Sequence, residues 1–294
     1  MHELTEIEER KLESNLVWVI ASRRSGTSWL SRELLSYNTK FMNEPLVGFH
    51  LAGLLGRNAK YYRRIDESQE KKDYFFNNNF KETWIFFLRK LILNRIYAQF
   101  QSLDSIIVIK EPNGSMGADI IFEALPNSKM IFLLRDPRDV INSNLTQISK
   151  GGFAEKTEKT GGKLTQFLMK GKQRLNEVKF RSQDWLSLID IINSAFENHN
   201  ENLRYFLKYE DLRTNTTLEL KKLYEFLQIS ISDEEVQKIV EEYTFENIPE
   251  EKKGIGTQRQ FGKVGIWKEK FTSEEINLMK EIMAKKLEKF GYEF

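Results

Sequence analysis

The sequence predicts an α/β fold, a parallel sheet flanked by helices on both faces, and three observations predict it. Short apolar, β-branched runs recur along the chain, each passes into a polar turn, and the turns open helical patterns. Runs that are apolar throughout, rather than alternating, fit strands buried on both faces, and helical crossovers supply that cover.

Leu16–Ala21 (LVWVIA) is the first such strand, Ser22-Arg23-Arg24-Ser25-Gly26 is its turn, and Thr27–Tyr37 is helical, with Trp29, Leu30, Leu34 and Leu35 on one face. Ile106–Lys110 (IIVIK) repeats the unit through a Pro-Asn-Gly turn into the helical GADIIFEAL. Met130–Arg135 (MIFLLR) is the third strand, and the following helix carries Pro137 in its first turn, where its missing N–H is not needed. A fourth unit runs from Leu203 (LRYFLKYE) into TTLELKKLYEFL at Thr216. From Thr272, which has capping-box spacing to Glu275, a long amphipathic helix runs to Gly291.

Two segments interrupt this alternation. Residues 57–100 are rich in aromatic and basic side chains and read as a helical insert that covers the sheet or lines an acceptor cleft. Residues 150–173 hold five of the chain's 16 glycines and read as a flexible lid. Five prolines leave little to mark a linker, so one domain over 1–294 is expected.

Charge and composition narrow the function. The 45 basic and 43 acidic side chains leave a net charge of +2, and 30% charged with 40% hydrophobic residues is the balance of a soluble globular chain. No nucleic-acid partner is expected. With no cysteine, disulfide frameworks, thiolate zinc sites and a cysteine nucleophile are excluded. His2, His50 and His199 are far apart, a poor start for a metal site. The first fifteen residues are acidic and polar, unlike a signal peptide. The most apolar stretch, WIFFLRKLILNRIY, is broken by Arg89, Lys90 and Arg95, short of the roughly 18–20 apolar residues of a membrane span. A cytoplasmic protein without a transmembrane segment is expected.

Ligands of such sheets sit beyond the carboxyl ends of the strands. Three turns there carry basic or hydroxyl residues: Arg24 to Ser28, Lys110-Glu111, and Arg135 to Ser143. In the first, Gly26 allows close backbone approach, Thr27 and Ser28 add hydroxyls, and Arg24 adds a fixed charge beside a helix N-terminus, so a phosphate-like anion fits. The signature G-x-x-x-x-G-K-[ST] is absent, since there is one glycine and the basic residue precedes it. Taken alone, these residues equally suit a hydroxyl-capped helix start.

With the other motifs added, the chain resembles the sulfotransferases that use 3′-phosphoadenosine 5′-phosphosulfate (PAPS). Arg24-Ser25-Gly26-Thr27-Ser28-Trp29 resembles their 5′-phosphosulfate loop, with arginine where cytosolic members usually have lysine. Arg135-Asp136-Pro137-Arg138-Asp139, with Ser143 eight residues after Arg135, resembles the 3′-phosphate motif. Lys208-Tyr209-Glu210-Asp211-Leu212 is similar to their YEDL segment, and Gly262 to Lys268 to their C-terminal glycine-tryptophan loop. These motifs stand in the family's order from residue 16 to 272. The resemblance implies a P-loop nucleotide-kinase-like sulfotransferase fold, PAPS as donor, adenosine 3′,5′-bisphosphate (PAP) as product, and no metal. It implies that Trp29 stacks on the adenine, with Tyr209 a candidate second contact; the other role for Trp29 is ordinary helix–sheet packing.

The chain departs from the cytosolic pattern twice. Lys110 is followed by Glu111 and Pro112, so no histidine stands two residues after the strand-end lysine. Before Gly262 stand Gln260 and Phe261 in place of a basic pair, with Arg259 one position further out, and Arg259, Gln260 and Gly262 are the candidate donor contacts of that loop.

Sulfuryl transfer to a hydroxyl needs a base for the proton and a cation for the departing phosphate. Glu44, in Asn43-Glu44-Pro45-Leu46, resembles the glutamate base of protein-tyrosine and carbohydrate sulfotransferases of the Golgi type, with Arg24 and Lys110 neutralising charge. Glu111 is the second candidate, its other role being a helix-start carboxylate facing solvent. His50 could reach the same cleft, but a lone histidine beside apolar residues is more often a core or surface residue. The acceptor is expected to bear a hydroxyl on a carbohydrate, glycolipid, phenol or peptide tyrosine. The competing readings are a kinase-like phosphoryl-transfer enzyme, which needs Mg²⁺ carboxylates and a lysine after the loop glycines, and a non-catalytic nucleotide-binding protein.

Overall fold

A computed structural model describes residues 3–54, 73–148, 171–244, 247 and 263–294. Five strands, β1 (Leu16–Ile20), β2 (Thr39–Asn43), β3 (Ile106–Lys110), β4 (Lys129–Leu134) and β5 (Arg204–Lys208), form one sheet in the order β2-β3-β1-β4-β5. Every pairing is parallel. Among the described residues the helices are α1 (Glu6–Ser14), α2 (Trp29–Leu34), α3 (Val47–Leu54), α4 (Lys81–Phe100), α5 (Ala118–Ala124), α6 (Pro137–Ile148), α7 (Gly171–Asn198), α8 (Tyr209–Thr214), α9 (Thr216–Leu227), α10 (Asp233–Tyr243), α11 (Trp267–Lys270) and α12 (Ser273–Lys289).

Alternate residues of the central strands supply two cores. Trp18 and Ile20 of β1, Ile107 and Ile109 of β3, and Phe132 of β4 pack with Leu12, Leu93, Ile121, Ile141, Ile189 and Met283 of the helices on one face. Val17, Val19, Val108, Ile131 and Leu133 pack with Leu30, Leu34, Leu223 and Ile239 on the other. Every residue of β1 and β4 is buried, which is why both lack an apolar-polar alternation. Each such aliphatic side chain contributes roughly 1.5–3 kcal/mol on burial.

The four predicted strands agree with β1, β3, β4 and β5 within a residue or two, β2 is not among them, and the capping box of Thr272 with Glu275 is present. The helix expected over Thr27–Tyr37 differs in kind. Its turns at Trp29–Leu34 are of π type, with the Leu35 N–H bonded to the Leu30 carbonyl at 2.9 Å. Ser31 Oγ donates to the Thr27 carbonyl at 2.5 Å and occupies an acceptor that the ordinary ladder would use. Of the expected insert, residues 73–100 are described and contain α4; the expected lid lies outside the described residues except at the start of α7. No helix among the described residues is long and apolar enough to cross a membrane.

From β1 the chain moves outward to β2 and returns through β3, then crosses to β4 on the other side of β1. The turn after β1 therefore lies where the winding direction reverses, the place at which such sheets open a crevice.

Candidate active site

The turn after β1 folds back over the strand ends because two of its residues take left-handed backbone angles, Arg24 at φ +69° and Gly26 at φ +91°. Ser22 and Ser25 share a hydroxyl hydrogen bond of 2.8 Å that closes the turn. A side chain at Gly26 would place its Cβ 2.5 Å from Cε2 of Tyr209, so only glycine lets that ring lie against the turn. Trp29 meets Tyr209 edge-on at 6.1 Å, and its indole N–H donates to the Tyr243 carbonyl at 2.8 Å. The Arg135 guanidinium lies 4.5 Å from the centre of the Tyr209 ring. Gly26, Trp29, Tyr209 and Arg135 thus form one surface, although 183 residues separate Gly26 from Tyr209.

The two anion motifs meet. Arg24 Nε donates to Ser143 Oγ at 2.9 Å, and Arg135 Nη1 donates to the Arg24 carbonyl at 3.0 Å. Burial, and then the charge of Arg135, push the Arg24 guanidinium below its ordinary pKa. A guanidinium starts so high that it stays charged at neutral pH, so Arg24 and Arg135 meet as two partly desolvated cations. Arg135 Nε and Asn142 Nδ2 are buried with no hydrogen-bond partner among the described residues. A buried donor left unpaired costs roughly 1–3 kcal/mol, and a phosphate oxygen would pair either one. These residues fit the phosphate groups of an anionic nucleotide.

The two carboxylates near Arg135 in sequence, Asp136 and Asp139, are engaged by other groups. Asp136 takes the Arg138 guanidinium at 2.8 Å, and Arg138 lies 4.0 Å from the centre of the Trp267 ring and 4.7 Å from that of Phe294. The Asp139 carboxylate accepts the Gly265 and Trp267 amides at 2.7 and 3.0 Å, anchoring the start of α11 to α6. Burial raises the pKa of Asp139, and the positive charge of Arg135 opposes that rise. Arg259, Gln260 and Gly262 lie outside the described residues.

At the other end of the cleft β2 delivers Glu44 and β3 delivers Lys110, which is in register with Asn43 on one side and Val19 on the other. Lys110 Nζ lies 2.5 Å from Glu44 Oε1 and 3.3 Å from Asn43 Oδ1, and Asn113 Nδ2 donates to Glu44 Oε2. Glu44 (φ +47°) and Leu46 (φ +60°) are both left-handed, a conformation that costs of order 1–3 kcal/mol each outside glycine.

Glu111 does not face solvent as a helix-start carboxylate. It is fully buried, and its two oxygens accept the Leu46 and Gly48 amides at 3.1 and 3.2 Å, at the start of α3 rather than of the helix that follows it in sequence. The segment from Glu111 to Gly114 is packed beneath the Glu44 turn, because Gly48 and Gly114 let the two backbones touch: a Cβ on Gly48 would lie 1.9 Å from the Gly114 carbonyl. Burial pushes the Glu111 pKa up to about 7.

Of the candidate residues, Arg24, Ser25, Gly26, Thr27, Ser28, Trp29, Arg135, Ser143 and Tyr209 gather at the carboxyl ends of β1, β4 and β5, and Glu44 with Lys110 at those of β2 and β3. His50 is exposed on α3, edge-on to Phe49 at 5.6 Å. Three polar neighbours escaped sequence reasoning: Asn43, Asn113 and Asn142. Asn113 stands in the Pro-Asn-Gly turn, where an amide side chain beside a strand-end lysine was the available signal. Among the described residues no three His, Asp or Glu side chains come together as a metal site.

A parallel α/β sheet thus carries, at its strand ends, two arginine-based anion motifs and a lysine–glutamate pair. The family model described as the sulfotransferase domain matches residues 14–291, and the chain belongs to that family. An amine sulfotransferase of Oryctolagus cuniculus is 26% identical over 182 residues, 57% of this chain and 57% of the relative. Sulfotransferase 2A1 of Rattus norvegicus is 27% identical over 176 residues, 55% and 58%. The matches span little more than half the length of these curated relatives. Among solved structures, a mouse sulfotransferase complexed with PAP gives a TM-score of 0.54 at 16% identity, covering 96% of this chain and 89% of that one. Retinol dehydratase in complex with androsterone and inactive cofactor PAP gives 0.53 at 17% identity, covering 96% and 83%. At these identities the likeness is one of fold.

Proposed function

We propose that this chain transfers a sulfuryl group from PAPS to a hydroxyl of an acceptor molecule. The observation that carries this reading is the junction of Arg24, Ser143 and Arg135, with buried donors left over, at the same sheet edge as the Glu44–Lys110 pair. The donor, when bound, supplies an activated sulfuryl group and a phosphate leaving group.

The residues of the chain divide the remaining work. The turn at Ser25, Gly26, Thr27 and Ser28 offers backbone and hydroxyl donors to the 5′ end, and Arg135 with Ser143 binds the 3′-phosphate. Trp29 and Tyr209 flank the base, and Arg259, Gln260 and Gly262 are further proposed contacts. Glu44 accepts the acceptor's hydroxyl proton; Lys110 keeps its carboxylate aimed and, with Arg24, offsets negative charge that builds on the transferring oxygens. The acceptor is a carbohydrate, glycolipid, phenol or peptide tyrosine, and the androsterone and retinol bound by retinol dehydratase add sterol and isoprenoid alcohols to the panel worth testing.

Purified protein incubated with PAPS and such a panel tests the reading. Sulfated acceptor and PAP in equal amounts are expected; failure to bind PAP at all overturns it.

A further inference from the structure

The turn that carries Glu44 does not hold itself. Glu44 and Leu46 are left-handed on either side of Pro45, and almost every polar contact that fixes them comes from residues 110–113. The Glu44 amide donates to the Lys110 carbonyl at 2.8 Å, while Lys110 Nζ and Asn113 Nδ2 take one carboxylate oxygen each. Beneath them the Glu111 carboxylate accepts the amides of Leu46 and Gly48. That carboxylate lies directly against Gly114, where a Cβ would stand 1.9 Å from its Oε1. Its backbone is tied in as well. The Glu111 amide donates to the Val19 carbonyl at 3.0 Å, and Ser115 Oγ bridges the Glu111 carbonyl and the Ala21 amide.

We propose that Glu111 is a positioning residue: its buried carboxylate closes the turn from residue 44 to 48 and thereby aims the Glu44 carboxylate at the transfer site. The proposal rests on Glu44 as the base. Glu111 does not take that role itself, because it is fully buried and both its oxygens are occupied by backbone N–H groups. Nor is helix capping alone a sufficient account, for a side chain of the chain just before α3 would serve a cap, whereas this carboxylate comes from the strand end that also supplies Lys110.

The test compares Glu111→Gln, which fills the same volume but keeps one acceptor, with Glu44→Gln and the double variant. Expected are a kcat at least about tenfold below wild type for Glu111→Gln, with PAP affinity and acceptor KM within about threefold, and a double variant within about threefold of Glu44→Gln alone. Glu111→Asp, which keeps the charge but withdraws it by one methylene, shows the same split. A kcat within about threefold of wild type, or losses that multiply in the double variant, would overturn the proposal. Amide exchange at Leu46 and Gly48 reads the hold without turnover: it accelerates in Glu111→Gln, and unchanged exchange refutes the role. If the wild-type chain transfers no sulfuryl group, the assignment of Glu44 fails by itself, and exchange still decides whether Glu111 holds the turn.

Discussion

Lys110 Nζ and Glu44 Oε1 stand 2.5 Å apart, with the two side chains only 8% and 25% exposed. An ammonium so placed fixes the direction of the carboxylate, yet the two groups come from the ends of different strands, β3 and β2. Glu44→Gln keeps the shape and the Asn43 and Asn113 surroundings but removes the proton acceptor. Turnover should fall by about 10²–10⁴, the usual contribution of a general base, while PAP affinity by calorimetry stays unchanged. Loss of PAP binding instead would make Glu44 structural.

Arg135 has one nitrogen on the Arg24 carbonyl and another, Nε, unpaired among the described residues. Charge-assisted hydrogen bonds contribute about 1.5–3 kcal/mol each. Arg135→Ala should therefore weaken PAP binding by about a hundredfold or more, and Ser143→Ala, which loses one hydroxyl, by about fivefold. Calorimetric titration with PAP distinguishes them, and equal effects would argue that both merely support the fold.

Gly48→Ala should destabilise the chain more than a typical surface change. Its Cβ would stand 1.9 Å from the Gly114 carbonyl and 3.1 Å from Ile121 Cδ1, and the backbone it meets cannot rotate away. A loss of about 2–3 kcal/mol is expected, a fall of roughly 5–10 °C in Tm. Thermal unfolding measures it, and an unchanged Tm would mean that the two turns separate easily.

The buried Glu111 makes stability depend on pH in a defined direction. Its pKa is raised by burial from 4.5 to about 7, so the folded chain keeps a proton that the unfolded chain has released between those values. Rising pH across this window therefore favours unfolding, by about 3 kcal/mol in total from this group. Glu111→Gln removes that slope between pH 4.5 and 7; denaturant unfolding at several pH values shows whether the slope is there to remove.

Much of this was legible in the sequence. The strands β1, β3 and β4 are apolar throughout because both faces are covered, and such runs stand out without an alignment. β2 was not, for a physical reason: Thr39–Asn43 is an edge strand, partly exposed, with Lys40 between Thr39 and Phe41. That strand brings Glu44 to the site, so the candidate base was reached through resemblance and not through the fold. The helices α7 and α10 carry regular spacings, Val178, Trp185, Ile189 and Ile192 in one and Val236, Ile239 and Val240 in the other, that periodicity could have found. The environment of Glu111 was beyond reach, because its burial depends on Gly48 meeting Gly114 across 66 residues of chain.

Transfer of a sulfuryl group at this site with Glu44 as base is tested most directly by a single-turnover reaction with ³⁵S-labelled PAPS and an acceptor panel, run for wild type and Glu44→Gln side by side. Label passing to an acceptor in the wild type, and remaining on the donor in the variant at equal PAP affinity, is the predicted result. Equal transfer by both proteins, or no transfer and no PAP binding by either, would contradict it.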